Sequence, residues 1–462
     1  MNRKINKVLW LAGILALSLS SCTKNALEQK TDQRLAVATT LDDFQQLLNG
    51  LGGYNSPAAP MYLTLGSYMS DDLYLTDANY NSMSSSPVGQ KIYTWDKTMF
   101  NTNVSVKEWD DAYRVVLNAN LAIEGVGRIA VTPANQKAWN NVMGSALLIR
   151  SSQFLDMAQF WAPLYQSSTA ATDLGIVLKL SSDLTATLTR ATVADTYKQI
   201  ISDLQTAAAL LPNTSAADTK ASKAQPSKAA AYGLLARTYL AMGDYPHVKL
   251  YADSALQLYS ALMDYNVVLV SGRFENFNDE MVYLGSDNGG TGGYPYSYSV
   301  DSALIKSYDA NDLRFQLFFY PSGTNYNWQG DYTGYLTFTG LANDELYLLR
   351  AEANARAGQT SAAMDDLNTL LVKRWVTGTF TPLTATDADD ALQKVLTERR
   401  KELILRGTRW TDLRRLNQDP RFVKTVTRTV AGTTYTLAPN DSRYTLQIPS
   451  YIIAFNGIKQ NP

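Results

Sequence analysis

The chain of 462 residues carries 41 Lys+Arg against 42 Asp+Glu, a single Cys and a single His, with 28 Tyr and 8 Trp beside 13 Phe. One cysteine excludes a disulfide framework, a CxxC pair and a thiolate-rich zinc site, and one histidine, His247, argues against a histidine-built metal centre or relay. The balanced charge, spread along the chain, offers no basic stripe for nucleic acid, whereas Tyr and Trp supply rings with a flat face and a polar tip that suit sugars.

In chain order, Arg3, Lys4 and Lys7 precede an apolar run from Val8 to about Leu19. This reads as a secretory signal, and the run is too short for a membrane span. Leu19-Ser20-Ser21-Cys22 then matches a bacterial lipobox. Residues 1–21 are therefore expected to be a signal peptide, and Cys22 to be the lipidated first residue of the mature protein. Several acyl chains, at about 0.8 kcal/mol per buried CH₂, hold a protein durably on a bilayer. Residues 22–39 are polar and read as a tether.

The body, 40–462, opens with Thr40 as the N-cap of a helix that Gly50 stops. A helical hairpin is expected near 106–162. A second helical region, 192–260, starts with the Thr192/Asp195 cap, and its 227–260 part has the tetratricopeptide pattern of small residues about a GDY turn. A second copy of that pattern opens a third region, 344–416, with Gly358 at the turn; more than a hundred residues apart, the two copies do not read as one continuous solenoid. The stretches near 54–105 and 264–340 are rich in Gly, Asn, Ser and Tyr and read as a long irregular, loop-built face. Near the end, TTYTLAPNDSRYTLQIP suggests a hairpin about its PND turn. The fold class is thus mainly α, a scaffold of tetratricopeptide-like hairpins with a loop-rich face and a few short strands.

No GxSxG, HExxH or P-loop is present, and the adjacent acid pairs fall at helix starts or on helical faces, so no catalytic or metal-binding residues and no cofactor are expected. Asp71-Asp72, in an irregular stretch, reads as a hydrogen-bonding or loop-fixing element. His247 reads as a solvated turn residue.

ERRKELILRGTRWTDLRRL, at 398–416, resembles the C-terminal signature of the SusD/RagB family of outer-membrane nutrient-binding lipoproteins. TLDDFQQLLNGLGGY, WDDAYRVVLNAN, GSALLIRSSQFLDMAQFWAPL, SKAAAYGLLARTYLAMGDY and LYLLRAEANARAG follow that family's blocks in order. Within the signature, Glu402 and Arg406 are expected to pair at i,i+4 and Gly407 to end the helix. Trp410 and Leu413 should pack back on it, while Arg409, Arg414 and Arg415 find acids or carbonyls. The resemblance implies a surface-facing outer-membrane lipoprotein, not an enzyme, that works with a TonB-dependent, SusC-like β-barrel transporter and presents oligosaccharides or, in some branches, peptides. A lipid-anchored assembly protein without a small ligand is a further alternative. For a ligand, the candidate rings are Tyr74, Tyr80, Tyr294, Tyr296, Tyr326 and Trp328, with Asp71, Asp72, Asn81 and Asn327 as polar partners, chosen for lying in irregular segments.

Overall fold

A computed structural model describes residues 38–50, 64–83, 87–101, 105–213, 225–275, 277–287, 298–330, 332 and 337–462. The expected signal peptide, Cys22, Tyr294 and Tyr296 lie outside the described residues.

The first half is built from α1 (Leu41–Asn49), α2 (Thr64–Met69), β1 (Leu73–Tyr74), α3 (Asp77–Ser82), α4 (Pro87–Tyr93), α5 (Lys107–Gly127), α6 (Gln136–Trp161), β2 (Leu174–Val177), β3 (Arg190–Thr192) and α7 (Val193–Leu210). Thr40 caps α1 in a full capping box with Asp43, and Thr192 accepts from the amide of Asp195 at the start of α7. The long α6 shows little amphipathic contrast because α5, α7 and β2 cover it on different sides. Phe44 and Leu48 of α1 close a small core against α5 and α6. A Cβ on Gly125 would lie 2.0 Å from the Phe44 ring, so only glycine allows that approach.

Two helix pairs follow: α8 (Lys228–Met242) with α9 (Tyr245–Leu258), and later α13 (Asn343–Arg356) with α14 (Thr360–Leu371). Ser227 caps α8, Gly243 turns the chain at φ +72, and Asp244 caps α9. His247 stacks on Tyr239 with ring centroids 4.6 Å apart and bonds Asp244 through Nδ1, so it is packed as well as exposed. The two pairs, separate in sequence, are neighbours in space. α9 packs on α13, Arg350 of α13 bonds Asp253 of α9 at 2.7 Å, and Arg356 lies over the Tyr245 ring. The two hairpins are therefore packed side by side although the chain between them does not continue the array: residues 259–342 leave it and return.

That excursion holds α10 (Tyr265–Ser271), β4 (Met281–Tyr283), β5 (Ser286–Asp287), β6 (Ser299–Val300), α11 (Ser302–Ile305), α12 (Leu313–Phe318), β7 (Phe319–Ser322), β8 (Asn325–Trp328), β9 (Thr337–Phe338) and β10 (Leu341–Ala342). β1 joins it to make an antiparallel sheet in the order β1-β6-β8-β7. The chain ends with α15 (Ala388–Glu402), α16 (Arg409–Leu416), β11 (Val426–Val430), β12 (Thr433–Leu437) and α17 (Ser450–Asn456).

Two expectations are corrected here. The terminal hairpin pairs β12 with the upstream β11 through an Ala431-Gly432 turn, both residues at positive φ. The Arg443–Leu446 run instead begins in a short 3-10 turn, and the Leu446 amide bonds the carbonyl of Phe160. Helix α15 stops at Glu402, five residues before Gly407. Leu403, Ile404 and Leu405 are buried in a turn, with Leu405 at φ +57, a left-handed conformation through which a right-handed helix does not continue. Glu402 and Arg406 consequently do not pair with each other: Glu402 receives Arg314 and Arg374, and Arg406 reaches Asp344.

Candidate ligand-binding face

The segment carrying the first candidate residues is fixed by charge. Arg409 donates to Asp71 from Nε and Nη2 at 2.6 and 2.8 Å, and Lys424 adds a bond at 2.5 Å. Arg400 donates to Asp72 at 2.7 Å, to the Asp71 carbonyl at 3.0 Å and to Asp301 at 3.2 Å. Burial pushes both carboxyls up. At Asp71 the field of Arg409, Arg400 and Lys424 outweighs it and holds the group well below the usual range; at Asp72 burial prevails. Asp71 and Asp72 are therefore occupied by the signature arginines, and their assignment as ligand partners is withdrawn: a carboxylate already holding two cations has little left to offer a sugar.

The clamp places β1 in register. Leu73 pairs with Val300, Tyr74 with Ser299, Ser299 with Asn327, and Asn327 with Tyr320. Residues directly opposite in an antiparallel ladder project to the same face, so Tyr74, Ser299, Asn327 and Tyr320 form one row across four strands. At a strand spacing of about 4.8 Å the row is about 14 Å from edge to edge, the length of a few sugar rings. Tyr74 and Tyr320, on the two edge strands, are half-buried, while Ser299 and Asn327 are buried between them, the Ser299 hydroxyl bonding the Asn327 side-chain oxygen at 3.1 Å. The two half-buried rings are the accessible part of this row, flat faces on which a sugar ring can stack, while the buried Ser299 and Asn327 hold its centre.

Trp328 and Tyr326, next to Asn327, project the other way. Trp328 is only 6% exposed and packs on Phe318 and Phe319 at 5.1 and 6.0 Å, and Tyr326 sits edge-on to Phe315 at 5.2 Å. Neither lies in an irregular segment. Trp328 is a core residue and is withdrawn from the site for that reason. Tyr80 is half-buried beside Tyr93, with burial and the neighbouring Tyr435 hydroxyl raising its own hydroxyl, and Asn81 is exposed on α3, the short helix after β1. Tyr320 was missed. Its signal was present: Phe319–Ser322 and Asn325–Trp328 flank Gly323-Thr324, a two-residue hairpin loop with Gly323 at φ +62.

Two open grooves lie elsewhere. One of about 380 Å³ is lined by Arg400, Arg409, Lys424, Leu396 and Phe422 among others, and one of about 350 Å³ by Gln166, Asp173, Arg414, Asn440 and Tyr444 among others. Of the candidate rings among the described residues, none lines either. Among the described residues no group of three or more His, Cys, Asp or Glu side chains could hold a metal ion, and no helix is long and apolar enough to cross a membrane.

Residues 26–240 match the family model described as starch-binding, associating with outer membrane, and residues 344–447 match that of the SusD family. The SusD-like protein P2 of Formosa agariphila is 25% identical over 476 residues, which cover 87% of this chain and 89% of the relative. A SusD superfamily protein from Bacteroides thetaiotaomicron superposes with a TM-score of 0.73 at 22% identity, over 92% of this chain and all of its own. A laminarin-binding SusD-like protein superposes with a TM-score of 0.65 at 18% identity, over 91% of this chain and 97% of its own. The last two are likenesses of fold.

Proposed function

The chain belongs to the SusD/RagB family, a family of outer-membrane-associated carbohydrate-binding proteins, and from that premise we propose that it captures oligosaccharides and delivers them to a SusC-like TonB-dependent transporter. It is held at the outer membrane through Cys22, faces the cell exterior, and acts by binding without catalysis. The observation that carries the ligand reading is the row Tyr74–Ser299–Asn327–Tyr320, with two half-buried tyrosines on edge strands about 14 Å apart. Tyr80 and Asn81, on the helix after β1, and Tyr294 and Tyr296, in the segment that leads into β6, extend the proposed contact set. Shallow stacking with few hydrogen bonds gives modest affinity and fast release, as a relay requires. Peptide capture and a purely assembling role have no specific observation in their favour.

Isothermal titration with laminarin-derived and starch-derived oligosaccharides tests the reading. Binding is expected for at least one series, weakened about tenfold, or about 1.4 kcal/mol, by Tyr74→Ala or Tyr320→Ala, with little change in melting temperature. Sugar binding that both variants leave intact would move the site elsewhere; peptide binding without sugar binding would overturn the proposal.

A further inference from the structure

A small cavity of about 30 Å³ lies where α6, α7, α8, α13, α15 and α16 meet, built from residues other than those of the sugar-binding row. Its lining includes Arg237, Arg399, Arg414, Arg415, Glu345 and Thr411. Arg237 and Arg399 both line it, and the Nη1 atom of each is buried without a hydrogen-bond partner, on side chains at least nine-tenths buried. An unsatisfied buried cationic donor is costly, so two of them at one cavity call for an occupant.

The charge balance says which kind. Arg237 is held by Glu345 at 2.8 Å, Arg399 by Asp412 at 2.8 Å, and Arg415 by Asp412 and Glu352, both at 2.8 Å. Arg414 has no carboxylate: it donates to the carbonyls of Gln159 and Ala162, and although burial pushes it down to about 10 it is cationic at neutral pH. Four arginines thus face three carboxylates. Asp156, within electrostatic reach of Arg237, does not restore the balance, because burial raises its carboxyl to about 8 and leaves it protonated. The first turn of α16 adds to the positive field: Gly407, Thr408 and Thr411 line the cavity, and no side chain caps this helix N-terminus.

We propose that this cavity is a binding site for a small monovalent anion, of the size of chloride, held between Arg237 Nη1 and Arg399 Nη1 at the N-terminus of α16. At about 10–15 Å³ per water-sized sphere the cavity has room for two or three such atoms, which suits a monatomic anion and is too little for the five heavy atoms of sulfate or phosphate. The anion completes the joint between the helices of the array and the signature segment.

Crystals of the whole protein grown in sodium bromide test the site by anomalous scattering, and thermal melts in chloride against gluconate at constant ionic strength test it in solution. The expected results are a bromide peak within hydrogen-bond distance of both Nη1 atoms and a melting temperature that rises saturably by several degrees with chloride. Thr411→Asp, which sets a fixed carboxylate at the cavity, should abolish the chloride dependence while the variant stays folded. A water molecule in place of the peak, or a bromide peak with no saturable response in solution, overturns the proposal; the wild-type measurements decide the matter even if the variant does not fold.

Discussion

Asp156 on α6 is the side chain at which burial and ionisation are most directly opposed. Both carboxyl oxygens are buried without a partner, and burial, with Arg237 only partly offsetting it, moves the group from 3.8 to about 8. The native state therefore binds a proton that the unfolded chain has lost between about pH 4 and pH 8. Over that range the contribution of this group to native stability falls as pH rises, by about 1.36 kcal/mol for each pH step of one, on the order of 5 kcal/mol in all. Asp156→Asn keeps the shape and cannot ionise. It should be more stable than the wild type at pH 8 by a few kcal/mol and nearly equal to it at pH 4. Thermal melts at the two pH values check this, and equal melting at both would mean that the carboxyl is solvated.

At the scale of the element, the β7–β8 hairpin decides what its residues do. Alternation sends Asn327 to the same face as Tyr74 and Tyr320, and sends Tyr326 and Trp328 to the aromatic cluster of Phe315, Phe318 and Phe319. Trp328→Ala, which a loop position would tolerate, should instead cost about 3–5 kcal/mol, the usual loss for a buried large aromatic. Urea denaturation measures it, and a loss below about 1 kcal/mol would return Trp328 to the surface. The same alternation explains why Tyr320 was overlooked. Gly, Asn and Ser in PSGTN have a composition shared by irregular loops and tight turns, and only the pairing of Ser322 with Asn325 distinguishes them.

At the scale of the molecule, a buried ionic network ties the excursion of 259–342 to the C-terminal helices. Arg374 donates to Glu402 at 2.7 Å and to Glu280 at 2.8 and 3.0 Å. Arg314 joins Asp312, Glu398 and Glu402, and Tyr332 bonds Glu280 and Asp344, the partner of Arg406. Removing one member leaves charges buried and uncompensated, so Arg374→Met should cost about 3–5 kcal/mol at pH 8. The loss should be smaller at pH 5, where Glu280, which burial and its acidic neighbours raise to about 7 against the pull of Arg374, is neutral. Chemical denaturation at both pH values checks the size and the sign; an equal loss at both would show that the network is not the cause.

The sequence by itself determined the local features: the caps at Thr40 and Thr192, the small-residue hairpins about Gly243 and Gly358, the mainly helical class, and the family signature that Arg409, Arg414 and Arg415 serve through acids and carbonyls. Each depends on residues close in the chain or on a motif long enough to be specific. Tertiary structure alone decided that α9 meets α13 across an excursion of more than eighty residues, that Asp71 and Asp72 are claimed by arginines over three hundred residues away, and that Tyr74, Asn327 and Tyr320 share one row while Trp328 does not. These facts follow from strand register and from the partners of buried charges, and both are set by contacts between segments whose separation the order of residues leaves open.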